Sequence, residues 1–199
     1  MGLRVTGGRL GGRRLRTPRQ GVRPTADRVR ESTFARLGDL DGAAVLDLFA
    51  GSGALGVEAL SRGAVSLVCV EQSREVLEIL RSNLKDLGLT AEARVVAADA
   101  LRAIGRLGRA GERYDLVLLD PPYAHPDVSR VLAALVSAGV LDPGAVVVLE
   151  RSRSHPVPEV AGLAPWDERR YGDTVISRFR VAEPERDPRS ERARKERNR

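Results

Sequence analysis

The sequence predicts an α/β fold, a Rossmann-like doubly wound and mostly parallel sheet, preceded by a β-hairpin and helix extension. Three observations predict it. Short apolar runs alternate along the chain with segments of helical spacing, the pattern of βαβ units. Val45, Leu46, Leu48 and Phe49, and later Leu116–Leu119, form near-continuous apolar runs, as in strands covered on both faces. The first run then enters Gly51, Gly53 and Gly56, a G-x-G-x-x-G turn that opens a helix. The first two glycines let the backbone turn tightly beside a ligand. The third lets the helix approach the strand.

Taken in order, Leu3–Thr6 and Arg13–Thr17 read as two short strands joined by GGRLGG. This hairpin brings little apolar area, so it needs the body or a partner to lean on. Thr25 is placed to N-cap a helix whose apolar stripe is Val29, Thr33, Phe34 and Leu37. The opposite face, with Arg28, Arg30, Glu31 and Arg36, reads as solvated, while Arg23 and Arg28 lie beside the capping turn. Ala54–Arg62 forms the first crossover helix, and SLVCVE the second strand, ending at Glu71. Ser73 caps a helix with Val76, Leu77, Leu80, Leu84 and Leu87 on one stripe, closed by Gly88. ARVVAAD is the third strand, ending at Asp99, and YDLVLLDPPY the fourth, ending at Asp120. A helix over Val128–Ala138 leads to a fifth strand, AVVVLERS. The segment around Gly172-Asp173 reads as a hairpin, which places an antiparallel strand near the end of the sheet. From Glu183 onward no aliphatic residue exceeds alanine, and the mixed charge predicts a disordered tail. The resulting organisation is a cationic arm over 1–22, a catalytic domain over 23–182 and a tail over 183–199.

A chain of 199 residues that is 42% hydrophobic supports one compact domain with an appendage. No apolar run approaches a membrane span, and the N-terminus lacks a secretory pattern. Cys69 is the lone cysteine and sits within a strand, so a core position and a cytoplasmic address are expected. His125, His155 and this cysteine do not make a metal cluster, and no metal is expected. The net charge is +6, unevenly spread. Residues 1–36 carry ten arginines against Asp27 and Glu31, whereas residues 37–182 are net negative by four. Lys85 and Lys195 are the only lysines, so compositional bias explains arginine over lysine. It does not explain the clustering, which points to a polyanion such as RNA contacting Arg4, Arg9, Arg13, Arg14, Arg16, Arg19, Arg23 and Arg28.

Ligands in such sheets bind at the carboxyl ends of the strands. There Glu71 can accept two ribose hydroxyls, and Asp99 followed by Ala100 can meet an adenine amine. Asp120-Pro121-Pro122-Tyr123 is the sharpest local signal. Consecutive prolines fix the backbone and remove two N–H donors, which leaves carbonyls and the Asp120 carboxylate as acceptors beside the Tyr123 ring. That set suits a planar base carrying an exocyclic amine.

DLFAGSG, VEQS, AADA and LDPPY resemble the motifs of S-adenosylmethionine-dependent amino-methyltransferases. With RVTGGRLGGRRLRTP and RPTADRVRESTF before them, the chain is similar to RsmD-type small-subunit (16S) rRNA guanine-N2 methyltransferases from about Arg4 to Val181. The resemblance implies a monomer that uses S-adenosyl-L-methionine to methylate one guanine of 16S rRNA, with assembled small subunits preferred. It implies that Gly51 and Gly53 approach the methionine part of the cofactor, that Glu71 holds the ribose, and that Asp99 and Ala100 border the adenine. Asp47, Phe49, Ser52 and Gln72 stand in the same cofactor motifs. Asp120, Pro121, Pro122 and Tyr123 would position the guanine. Many such enzymes carry asparagine where this chain has Asp120, and both side chains offer a carbonyl acceptor. A DNA adenine-N6 methyltransferase shares DPPY but usually needs a target-recognition region. A nicotinamide dehydrogenase leaves DPPY unexplained. A non-catalytic RNA-binding assembly factor would not need both motif sets.

Overall fold

The computed structural model describes residues 3–18, 25–122, 128–156 and 159–181. Its strands are β1 Ala44–Leu48, β2 Ser66–Glu71, β3 Ala93–Ala97, β4 Tyr114–Leu119, β5 Leu141–Ser152, β6 Leu163–Tyr171 and β7 Thr174–Val181. The helices are α1 Thr25–Ala35, α2 Ala54–Ser61, α3 Arg74–Asp86, α4 Ala100–Arg109 and α5 Val128–Ser137. The strands form one sheet in the order β3-β2-β1-β4-β5-β7-β6. Neighbours from β3 to β5 are parallel, and β7 runs antiparallel between β5 and β6. The doubly wound, mostly parallel sheet expected from the sequence is therefore present. After β3 the chain crosses back to β4 on the other side of β1. That reversal opens a crevice at the carboxyl ends of β1 and β4.

Alternate strand residues explain the continuous apolar runs. Val45, Leu67, Cys69, Leu116 and Leu118 enter one core layer with α1, α2 and α3. Leu46, Val68, Val70, Val117 and Leu119 enter the other with α4 and α5. Both faces of the central strands are covered, so both are dominated by apolar side chains.

Several local expectations are refined. Helix α4 was not anticipated, although Ala100, Ala103, Ile104 and Leu107 have helical spacing and are buried. Strand β5 begins at Leu141, four residues before the AVVVL run, with a register irregularity opposite Tyr114–Leu116. Arg30 is only 4% exposed rather than on a solvated face. It donates to the Arg4 carbonyl, to Asp27 and to Glu58, so its burial is compensated. Arg19, Arg23, Tyr123 and the tail from Glu183 fall outside the described residues.

The N-terminal hairpin pairs its two arms around an antiparallel bridge of Arg4 with Arg14, Leu15 N donating to the Leu3 carbonyl (2.9 Å) and Val5 N to the Arg13 carbonyl (3.0 Å). The body adds further partners for its backbone. Thr6 donates its N–H (2.8 Å) and hydroxyl (2.6 Å) to Glu58, and Leu10 donates to Ser61 Oγ (2.9 Å). Gly8, at φ +71°, lies so close to α2 that a Cβ there would stand 1.8 Å from the Ser61 carbonyl oxygen. Leu3, Val5 and Leu15 are buried in the same core layer as α2 and α3.

Candidate active site

A cleft of about 620 Å³ opens at the crevice between β1 and β4. Of the residues singled out in the sequence, Phe49, Gly51, Ser52, Glu71, Gln72, Ala100, Asp120, Pro121 and Pro122 line it. Asp47, Gly53 and Asp99 do not, and neither do the arginines of the hairpin.

One half is built by the glycine turn. Gly51 and Gly53 take positive φ, +56° and +86°, and Phe49 sits at φ +64° although it has a side chain. Such strain in a non-glycine residue is concentrated at ligand sites. Gly56 permits the close approach of α2, since a Cβ there would meet Leu67 side-chain carbons at 2.7 Å and Asp47 Oδ2 at 3.1 Å. Asp47 lies beneath the turn, 1% exposed, and its Oδ2 accepts the Gly56 N–H at 2.9 Å. Burial, followed by the charges of Asp120 and Glu71, raises its carboxyl to about 8. Its Oδ1 is buried and has no partner among the described residues.

Glu71 is held in place by backbone donors. Oε2 accepts from Gly51 N (3.0 Å), while Oε1 accepts from Gln72 N and Ser73 N (2.8 Å each). A carboxylate fixed this way keeps further lone pairs for hydroxyl donors in the cleft. Asp99 stands at the start of α4. Its Oδ1 caps α4, accepting from Leu101 N (3.0 Å) and Arg102 N (3.2 Å), and only the following Ala100 reaches the cleft.

The other half lies between β4, β5, β7 and α1. Asp120 is exposed to the cleft at the end of β4, followed by buried Pro121 and exposed Pro122. Protein packed around the Asp120 carboxyl desolvates it in part and raises it above the ordinary aspartate range. Water in the open cleft limits the size of that effect. Glu150, at the carboxyl end of β5, is raised by burial and then by the charge of Asp120. Arg30 and Thr33 of α1, and Thr174 and Ile176 of β7, complete this half. None of these is expected at the site from the sequence, where Arg30 and Thr33 read only as helix-face residues, but Glu150 was discoverable. It closes an apolar strand run just as Glu71 and Asp120 do. Thr174 and Ile176 carried no such signal, because their place depends on the antiparallel return of β7.

Leu3, Thr17 and Pro18 bring the hairpin to the cleft wall. Asn83, 2% exposed on α3, joins hairpin and turn. Its amide donates to the carbonyls of Arg16 (2.9 Å) and Ser52 (2.8 Å), and its Oδ1 accepts from Arg16 N (2.8 Å). The hairpin arginines face outward. Arg9 pairs with Glu92 (2.6 Å) and Arg16 with Asp86 (2.8 Å). Among the described residues, the side chains of Arg4, Arg14 and Arg28 have no acidic partner, and all three are exposed.

A family model described as conserved hypothetical protein 95 matches residues 3–180, nearly the whole described chain. The chain belongs to this family. Similar relatives include YlbH of Bacillus subtilis, 35% identical over 181 residues, covering 89% of this chain and 98% of that protein. Ribosomal RNA small subunit methyltransferase D of Escherichia coli K12 is 38% identical over 160 residues, 79% of each chain. The solved structure of yhhF from Escherichia coli superposes with a TM-score of 0.82 at 34% identity, covering 92% of this chain and 99% of that one. The family match includes the hairpin and both halves of the cleft, so these form one inherited unit.

Proposed function

We propose that the protein transfers a methyl group from S-adenosyl-L-methionine to the exocyclic N2 of a guanine in 16S rRNA of the small ribosomal subunit. The observation that carries this reading is the cleft itself. A ribose-type acceptor, Glu71, and an amine-type acceptor set, Asp120-Pro121-Pro122, open onto one space of about 620 Å³. Relatives named as small-subunit rRNA methyltransferases support the substrate class.

The donor set fits this cofactor. Glu71, fixed by backbone N–H donors at the edge of the glycine turn, puts acceptors there, which suits ribose hydroxyls better than a pyrophosphate. The Gly51 N–H, which a dinucleotide phosphate would need, is already donated to Glu71. Glu71 would hold the ribose, Phe49, Gly51 and Ser52 the methionine side, and Gln72 and Ala100 the adenine side. When bound, S-adenosylmethionine supplies the methyl group as a sulfonium electrophile.

The chain's own residues align the partners and tune the amine. Asp120 accepts a hydrogen bond from guanine N2, drawing its lone pair out of ring conjugation and toward the methyl. N2, once methylated, would have to shed one proton. A carboxylate raised above its ordinary range, such as Asp120, is a suitable acceptor for that proton. The base would be splayed from its stack to reach this depth, with Tyr123 as its ring platform.

Two outcomes follow. Glu71→Ala removes a charge-assisted ribose contact, so cofactor affinity falls by about 1–3 kcal/mol in a calorimetric titration. NAD does not bind measurably in the same experiment. Tight NAD binding, or unchanged affinity in the variant, contradicts the cofactor assignment. On the RNA side, substituting alanine for Arg4, Arg14 and Arg28 together should make log affinity against log salt shallower. The expected change is roughly two to three units, at ~0.7–0.9 per phosphate contact. An unchanged slope would place the RNA surface elsewhere.

A further inference from the structure

Glu150 is a carboxylate in the cleft that the proposed transfer does not use. Parallel register pairs Leu119 of β4 with Leu149 of β5, so the next residues, Asp120 and Glu150, stand side by side at the strand ends. On its other side Glu150 is in register with Ile176 of β7, and all three residues line the same half of the cleft. Among the described residues no hydrogen-bond donor meets the Glu150 carboxyl, although it is largely withdrawn from water. A half-buried carboxyl that opens on the cleft and has no protein donor is placed to accept from a bound base.

Resting on the guanine-N2 reading above, we propose that Glu150 is the residue that selects guanine. Its two carboxylate oxygens accept the N1–H and one N2–H of the base, leaving the second N2–H for Asp120. These two donors point in parallel from the Watson–Crick edge, the arrangement that a carboxylate accepts bidentately. Flipped or unstacked bases are read on this edge. Adenine presents an acceptor, its N1, where guanine presents N1–H, and a lone pair facing the carboxylate is repelled. Neighbouring Asp120 and Glu150 also disfavour double ionisation in the empty cleft. Donors from guanine relieve that repulsion, while adenine supplies only one.

The test is the isosteric change Glu150→Gln, which keeps one acceptor and makes the other position a donor. Adenine matches that pair, and guanine does not. Single-turnover methyl transfer is measured on small subunits from a strain lacking this protein. A second set of subunits has adenine at the nucleotide the parent methylates, and products are resolved as N2-methylguanosine or N6-methyladenosine. The parent should prefer guanine strongly. E150Q should narrow the guanine-to-adenine ratio by about ten- to hundredfold, the discrimination of a bidentate pair. Cofactor affinity should be unchanged, which also certifies folding. Glu150→Asp, retaining both oxygens one methylene back, should slow transfer yet keep the parent's ratio. An unchanged ratio in E150Q overturns the proposal, as does a narrowed ratio in E150D. If the parent forms no N2-methylguanosine at all, the guanine reading fails first and the role of Glu150 falls with it.

Discussion

Replacing Asp120 with alanine is expected to lower methyl transfer by about a hundredfold or more while leaving S-adenosylmethionine affinity nearly unchanged. The size follows from removing a preorganised acceptor from the reacting nitrogen, where single groups contribute about 10²–10³ in rate. The selectivity follows from geometry. Asp120 ends β4, whereas the proposed cofactor contacts lie on the turn after β1 and at the ends of β2 and β3. Asp120→Asn keeps the carbonyl acceptor, so its rate should stay within about tenfold of the parent. Should asparagine prove as inactive as alanine, proton uptake by the carboxylate, not polarisation of the amine, would be the main contribution. Single-turnover rates beside equilibrium cofactor titrations separate these cases.

The largest effect on stability is expected at Glu58, far from the chemistry. This side chain is fully buried and accepts from Thr6 N–H and hydroxyl, Arg62 Nε (2.8 Å) and Arg30 Nε (3.3 Å). Burial alone would raise its carboxyl, but the hydrogen bonds from Thr6 and Arg62 outweigh it and hold the group below its ordinary value of 4.5. Glu58→Ala leaves Arg30 buried with fewer partners and unties the hairpin from α2. The expected loss is about 3–5 kcal/mol in denaturant unfolding, with residues 3–18 losing protection in hydrogen exchange. Because the folded carboxyl lies below its unfolded value, this contribution is whole at neutral pH. It is lost as the pH falls below 4.5 and through the lowered folded value. A variant as stable as the parent, with the hairpin still protected, would contradict this account. Through Asn83 the hairpin also touches the glycine turn, so its detachment should be felt at Ser52.

Much of this site was legible before any coordinates, and for a physical reason. The glycine turn, Glu71 and Asp120 are local signals. Each is a residue at the end of an apolar run, and the parallel sheet gathers such ends in one place. Asp99 shows the limit of that rule. A carboxylate just before a helix can be spent on capping, and α4 was hidden because its first turn was read as part of a ligand motif. Arg30 and Asn83 show another limit. Both are polar residues on helices with ordinary solvated spacing, and they are buried because the hairpin folds back over them. Contacts from residue 4 to residue 30, or from 16 to 83, leave no periodicity to read. Glu150 was missed for want of consistency, since the reasoning applied to three strand ends holds for the fourth.

The most direct measurement of the central claim uses small subunits isolated from a strain lacking this protein. They are incubated with the purified protein and S-adenosylmethionine carrying a labelled methyl group, and the rRNA is digested to nucleosides. The account predicts that the label appears in N2-methylguanosine at one position of 16S rRNA, and that Asp120→Ala abolishes it. Label in N6-methyladenosine, or in no nucleoside at all, would contradict it.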